Sequence, residues 1–266
     1  MPVILPGHHL SRCNRPPEGA ALLLTGKTEG MSRIEHPWTV TTWNLRGGAK
    51  PDIAAVATVI EVEAPDVVVI QEIRKTQATA LASALGMQFT RALKHYPFTP
   101  LRKAAAEGMA ILTPHALDAA GHSEISVKKS KWAHKRRIAL WCLVGRSDAM
   151  AYRTYNVHLT PRGTATDRLI EAIDVANLVE SHGEIPPAIV AGNFNDNLDA
   201  NIIFALPGIE HIPPSPTSPA GAPTQTLDHV LLPAGARNIS TTVPAGNAEW
   251  AAMSSHLPVT VRFGLE

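Results

Sequence analysis

The apolar positions of this chain change period along its length. Trp38-Thr39-Val40-Thr41-Thr42-Trp43 is β-branched and aromatic, which predicts a strand. Ile53, Val56, Val59 and Ile60 then recur at helical spacing behind Pro51, predicting a helix from Pro51 to Glu63 that Pro65-Asp66 ends. The unbroken run Val67-Val68-Val69-Ile70 predicts a strand buried on both faces and ending at Gln71-Glu72. Thr76 to Leu85 is Ala-rich and closed by Gly86, a second helix. A loop-like stretch carrying Tyr96-Pro97-Phe98 and Arg102-Lys103 leads to a strand at Gly108–Leu112. Ile138 to Val144 and Ala151 to Val157 flank the turn Gly145-Arg146-Ser147-Asp148 and predict a hairpin. Asp167 to His182 predicts the longest helix, with Leu169, Ile170, Ile173, Ala176, Leu178 and Val179 inward. A strand over 188–191 follows, then a Pro/Ser/Gly-rich loop from Pro213 to Pro223, and strands at Leu227–Leu232 and Pro258–Phe263.

This order, βαβα, then hairpins, then one more helix and more strands, argues against a simple doubly wound sheet. It fits an α/β protein with two sheets packed face to face and helices outside. Residues 1–35 carry Pro2, Pro6, Pro16 and Pro17 and no periodic segment. They read as a disordered extension or as a short structured arm, with Met31-Ser32 an alternative start. Residues 36–266 read as a single domain.

Composition narrows the class only slightly. Of 266 residues, 45% are apolar and 18% charged, as in soluble globular proteins. A net charge of +1 gives no global field for nucleic acid or membranes, so a preference for polyanions has to be local. Cys13 and Cys142 make neither a disulfide framework nor a zinc site, so a reducing, cytoplasmic setting is expected. No apolar run approaches the ~20 residues of a spanning helix, and no membrane insertion is expected.

Polar, chemistry-bearing residues cluster at the ends of the expected strands. They are Asn44, Gln71-Glu72, Asn156-Val157-His158, Asn193-Phe194-Asn195, Asp228-His229 and Ser255-His256. Asn193 and Asn195 follow a buried strand and a Gly turn, and are expected to project on the same side. A site assembled from many strand ends is how an α/β enzyme builds a metal-phosphate centre.

With Gly108-Met109-Ala110-Ile111-Leu112, these segments run in the order of the endonuclease/exonuclease/phosphatase superfamily. The chain resembles that superfamily over residues 38–263. The pieces are Thr42-Trp43-Asn44-Leu45-Arg46, Val69-Ile70-Gln71-Glu72, Asn156-Val157-His158-Leu159, Gly192-Asn193-Phe194-Asn195, Leu227-Asp228-His229-Val230-Leu231 and Ser254-Ser255-His256-Leu257-Pro258-Val259. The resemblance implies a DNase-I-like four-layer α/β sandwich and a Mg²⁺- or Mn²⁺-dependent phosphodiester hydrolase, most simply a nuclease. It also embraces phosphomonoesterases and phospholipid phosphodiesterases. By the same resemblance Glu72, with Asn44, would hold the metal. His256 would act as base or bind the phosphate, Asp228 would orient its imidazole, and His158 and Asn195 would stabilise the phosphate.

Two positions depart from the pattern. Asn193 stands where the family carries the Asp that aligns the attacking water, and Ser255 where it carries an Asp that joins the metal site. Losing both charges should weaken cation binding and slow turnover by ~10²-fold or more. Three readings follow: a rearranged site in which Asp196 or another acid substitutes, a homologue that only binds nucleic acid or a phosphorylated ligand, or an introduced change at Asn193, which leaves Ser255 unexplained. The basic run Lys128–Arg137, including Lys131, Arg136 and Arg137, either lines a groove that follows a phosphate backbone or is a solvated loop. Arg46, Arg162 and Arg168 lie beside motif segments and are further candidates for phosphate contacts. Nucleic acid or another phosphodiester is therefore the expected partner of a monomeric chain.

Overall fold

The computed structural model describes residues 37–94, 106–127, 136–197, 202, 206 and 209–265. The 1–35 extension lies outside the described residues, as does Lys131 with most of the basic run. Twelve strands are described: β1 (Trp38–Asn44), β2 (Val67–Arg74), β3 (Gln88–Leu93), β4 (Glu107–Thr113), β5 (Ala116–Glu124), β6 (Ile138–Gly145), β7 (Tyr152–His158), β8 (Ala188–Asn193), β9 (Ile209–His211), β10 (Asp228–Pro233), β11 (Ala236–Thr242) and β12 (Val259–Leu265). The helices are α1 (Ile53–Val62), α2 (Lys75–Leu85), α3 (Ala165–Ser181) and α4 (Ala248–Met253).

The strands form two six-stranded sheets, β11-β12-β1-β2-β4-β3 and β5-β6-β7-β8-β10-β9. Their facing sides interlock through one core. Val40, Val67, Val69, Met109, Ile111, Val261 and Phe263 of the first sheet meet Leu140, Cys142, Tyr152, Ile189, Val230 and Leu232 of the second. The outer side of the first sheet (Trp43, Val68, Ile70, Ala110, Leu112) is covered by Val56, Ile60, Ala78 and Leu81 of α1 and α2. The outer side of the second (Ala139, Tyr155, Val157, Val190) is covered by Ala172, Val175 and Ala176 of α3. This is the four-layer sandwich. It explains the unbroken Val67–Ile70 run, because alternate residues enter different cores and both are dry.

Local chemistry sets the boundaries. Asp52 caps α1 by accepting from Ala54 N and Ala55 N, so this helix starts two residues after Pro51. Thr164 and Asp167 form a capping box at α3. The inward face of α3 differs from the expected one. Ile170 and Ile173 are about 40% exposed, while Glu171, Ala172, Val175 and Ala176 are buried. Small residues face the sheet so that the helix packs close, and the larger apolar residues flank that stripe. Among the described residues no helix is long and apolar enough to cross a membrane.

The topology gathers the polar strand ends at one end of the sandwich. β1 and β2 are parallel, and so are β7 and β8, which aligns Asn44 with Gln71 and His158 with Asn193 in register. β10 runs antiparallel to β8 and starts opposite Asn193 with Asp228. β12 runs antiparallel to β1, so His256 just before it lies at the same end. β3 is antiparallel to β4, itself antiparallel to β2, and therefore brings Lys94 to that end as well.

Candidate active site

At this end β8 carries Asn193, completely buried between His158 on β7 and Asp228 on β10. Its close fit depends on Gly192, whose φ is +150° and where a Cβ would sit 2.0 Å from the Val157 carbonyl oxygen. Asn193 Oδ1 accepts from Asn195 N at 2.9 Å, which turns its Nδ2 toward His256 Nδ1 at 3.3 Å. Asn195 bends at φ +52°, and its side chain donates to the Leu159 carbonyl rather than projecting beside Asn193.

His256 Nδ1 lies 2.7 Å from Asp228 Oδ2. A carboxylate only accepts, so Nδ1 carries the proton and Nε2 makes no hydrogen bond to any described residue. Burial opposes the imidazolium, but the Asp228 carboxylate, its hydrogen bond and Glu72 outweigh burial and the Arg46 charge, and the pKa is raised. Asp228 is itself fully buried, held on Oδ2 by the Thr217 hydroxyl at 2.7 Å, and its Oδ1 has no hydrogen-bond partner among the described residues. The loop carrying His256 is pinned from β1: Trp43 Nε1 donates to the His256 carbonyl, and the Ser254 hydroxyl donates to the Asn44 carbonyl. The Asn44 side chain accepts from Arg46 N, closing a turn that leaves Arg46 exposed at φ +46°.

Glu72 is the surplus residue of a bulge in β2, between Gln71 and Ile73, at φ +54°. Its Oε1 is 3.5 Å from Lys94 Nζ and 3.7 Å from His158 Nε2. Lys94 Nζ in turn lies 3.0 Å from His158 Nδ1. An ammonium only donates, so Nδ1 accepts and the His158 proton sits on Nε2, toward Glu72. Burial brings the Lys94 pKa down to about 8, against the pull of Glu72.

Glu72 and Lys94 form the floor of a cleft of about 440 Å³ lined also by Arg136, Arg137, Arg162 and Glu171. Three of the expected basic residues thus meet here. Arg136 donates to the Leu93 carbonyl, and Arg137 points toward the His158 carbonyl. Arg168 is engaged by Asp196 at 2.6 Å, so the Asp196 carboxylate is tied to a guanidinium. His229 faces away from this site, against Phe194 and His211.

Lys94, Thr217 and Glu171 escape sequence reading. Thr217 lies in a loop, and Glu171 hides on a helix face among alanines. For Lys94 the one signal is its position at the end of a weakly alternating segment, Gln88–Leu93.

The donors fit a divalent cation poorly. Such an ion seeks several oxygens, chiefly carboxylates. Here Glu72 already faces an ammonium, an amide and a hydroxyl stand at 193 and 255, and no described group of three or more His, Cys, Asp or Glu could hold a metal.

The fold and these strand-end residues define a phosphoester-hydrolase scaffold. The sequence signature of the Endonuclease/Exonuclease/phosphatase family matches residues 41–248, and the chain belongs to that family. Among solved structures it resembles an endonuclease/exonuclease/phosphatase from Bacteroides vulgatus, at TM-score 0.72 and 16% identity over 87% of this chain and 100% of that one. It also resembles the mannosyl-6-phosphatase Bt3783 of Bacteroides thetaiotaomicron, at TM-score 0.66 and 18% identity over 86% and 100%. A third is the D. rerio protein TDP2 complexed with a single-strand DNA product, at TM-score 0.60 and 16% identity over 86% and 99%. No match was found among curated protein sequences.

Proposed function

We propose that this chain hydrolyses phosphodiesters, with nucleic acid as the substrate class. The observation that carries the reading is the His256–Asp228 pair at 2.7 Å, which engages Nδ1 and leaves Nε2 without a hydrogen bond to any described residue. Nε2 takes a proton from water in its neutral form and holds a phosphate oxygen in its charged form. Asp228 fixes the tautomer and balances the imidazolium. The Arg137 and Arg162 guanidiniums, which line the cleft beside Glu72, oppose the charge that builds on the phosphoryl oxygens, and His158 Nε2–H steadies Glu72. Arg136 and Arg137 extend the basic lining toward a polyanion, and the DNA complex of a structural neighbour favours the same substrate class. Mg²⁺ or Mn²⁺, generally used in the family, would meet Glu72 and Asn44 as candidate ligands among the described residues, few oxygens for such an ion.

A second reading, a module that binds phosphoesters without cleaving them, is favoured by one observation: the Asn193 amide nitrogen, not a carboxylate oxygen, faces His256. The test is hydrolysis of plasmid DNA, bis(p-nitrophenyl) phosphate and p-nitrophenyl phosphate, each with Mg²⁺, Mn²⁺ or EDTA. Diester cleavage lost in His256→Ala is the expected result. Cleavage seen only in the Asn193→Asp, Ser255→Asp double variant gives the second reading its support, and a preference for p-nitrophenyl phosphate would move the substrate to monoesters.

A further inference from the structure

We infer that Lys94 supplies the positive charge opposing Glu72, so that the site takes a phosphoester anion without a divalent cation. This rests on the phosphoester reading above and deepens it. Three features converge. The Lys94 side chain is only 1% exposed and is fixed at both ends of its reach, 3.0 Å from His158 Nδ1 and 3.5 Å from Glu72 Oε1. Its withdrawal would cost contacts to a buried ring nitrogen and to a partly exposed carboxylate. An ion bound to Glu72 Oε1 at ~2.1 Å would therefore sit within about 6 Å of the Lys94 ammonium. Finally, the two positions at which the family pattern carries acids are neutral, Asn193 and Ser255. A cation stands in the site and two anions of the family pattern are absent from it, and both features lower the affinity for a metal while keeping the affinity for phosphate.

The other charged groups around Lys94 leave this balance in place. The Glu107 charge favours the Lys94 ammonium and the Arg137 charge opposes it. Glu72 then positions His158 and Lys94, with no bond to a metal required.

The experiment measures Mn²⁺ binding by calorimetry and electron paramagnetic resonance, and inorganic phosphate binding by calorimetry in EDTA and in Mg²⁺. The wild-type chain is expected to bind phosphate equally in both buffers and Mn²⁺ only weakly. Lys94→Met, near-isosteric and neutral, should bind Mn²⁺ tighter by about tenfold or more and lose phosphate binding in EDTA. Tight Mn²⁺ binding by the wild-type chain, with phosphate binding that disappears in EDTA, would overturn the inference and needs no variant to fold. Unchanged Mn²⁺ affinity in a folded Lys94→Met protein would overturn it too. Phosphate binding in EDTA without hydrolysis of any ester supports the inference while ending the hydrolase reading.

Discussion

Gln71 on β2 donates its side-chain amide to Asn156 Oδ1 on β7 at 3.0 Å, joining the two sheets through a polar contact in a dry interface. Asn156 completes the bridge by donating to the Ile70 and Ala110 carbonyls. Buried polar groups that lose a partner retain their desolvation cost. Asn156→Leu removes the side-chain donor to two carbonyls and one of the three acceptors of the Gln71 amide. It should cost about 3 kcal/mol or more in urea unfolding. A loss near zero would show that the two sheets are held by apolar packing alone.

Asp228→Asn should reverse the sign of the His256 shift. In the wild-type chain the carboxylate outweighs burial, and the imidazole titrates above its ordinary 6.5. Stability from this contact is present below pH 6.5 and lost as pH rises through the folded pKa. With a neutral amide at 228, burial and Arg46 remain against Glu72 alone, and the midpoint should fall below 6.5. NMR titration of the His256 ring reads the change, and the acid limb of any hydrolysis should move with it.

Glu171 predicts a pH slope of the opposite origin. Burial on α3 pushes its carboxyl up to about 7, against the hydrogen bond from Thr160 N and the charge of Arg137. The folded state then binds more protons than the unfolded one between 4.5 and 7, so stability falls as pH rises through that window. The drop is at most roughly 3 kcal/mol, and it levels off above pH 7. Glu171→Gln keeps the acceptor for Thr160 and should flatten the slope in denaturation curves taken from pH 4.5 to 8.

Gly192→Ala should damage fold and site together. The added methyl would meet the Val157 carbonyl at 2.0 Å, in a backbone region that L-residues rarely enter. Strand β8 must shift against β7, which separates His158 from Asn193. We expect a loss of about 3 kcal/mol or more by thermal unfolding, with phosphate binding lost in whatever remains folded.

The strands legible in the sequence are the interior ones. β1, β2, β4, β6, β7, β8, β10 and β12 are covered by neighbours and mostly by packing on both sides, and their apolar runs announce it. The four that pattern reading misses, β3, β5, β9 and β11, are the four sheet edges. β5, Ala-Leu-Asp-Ala-Ala-Gly-His-Ser-Glu, is mostly exposed, and an edge that must resist pairing with other chains has little reason to be apolar. The site divides the same way. Glu72, His158, Asn193, Asp228 and His256 sit on interior strands or beside them and are found by position. Lys94 follows an edge strand and is found only in three dimensions.

Among the six described non-glycine residues at positive φ are Arg46, Glu72 and Asn195, all three at the candidate site. Glycine at each would relax the backbone, and the Glu72 position, lying outside the regular ladder, would cost the sheet little. A laboratory selection for heat resistance alone would thus be drawn toward these three codons. It would return a sturdier sandwich with its chemistry erased. A lineage that keeps Arg, Glu and Asn there is one in which something besides folding has been under selection.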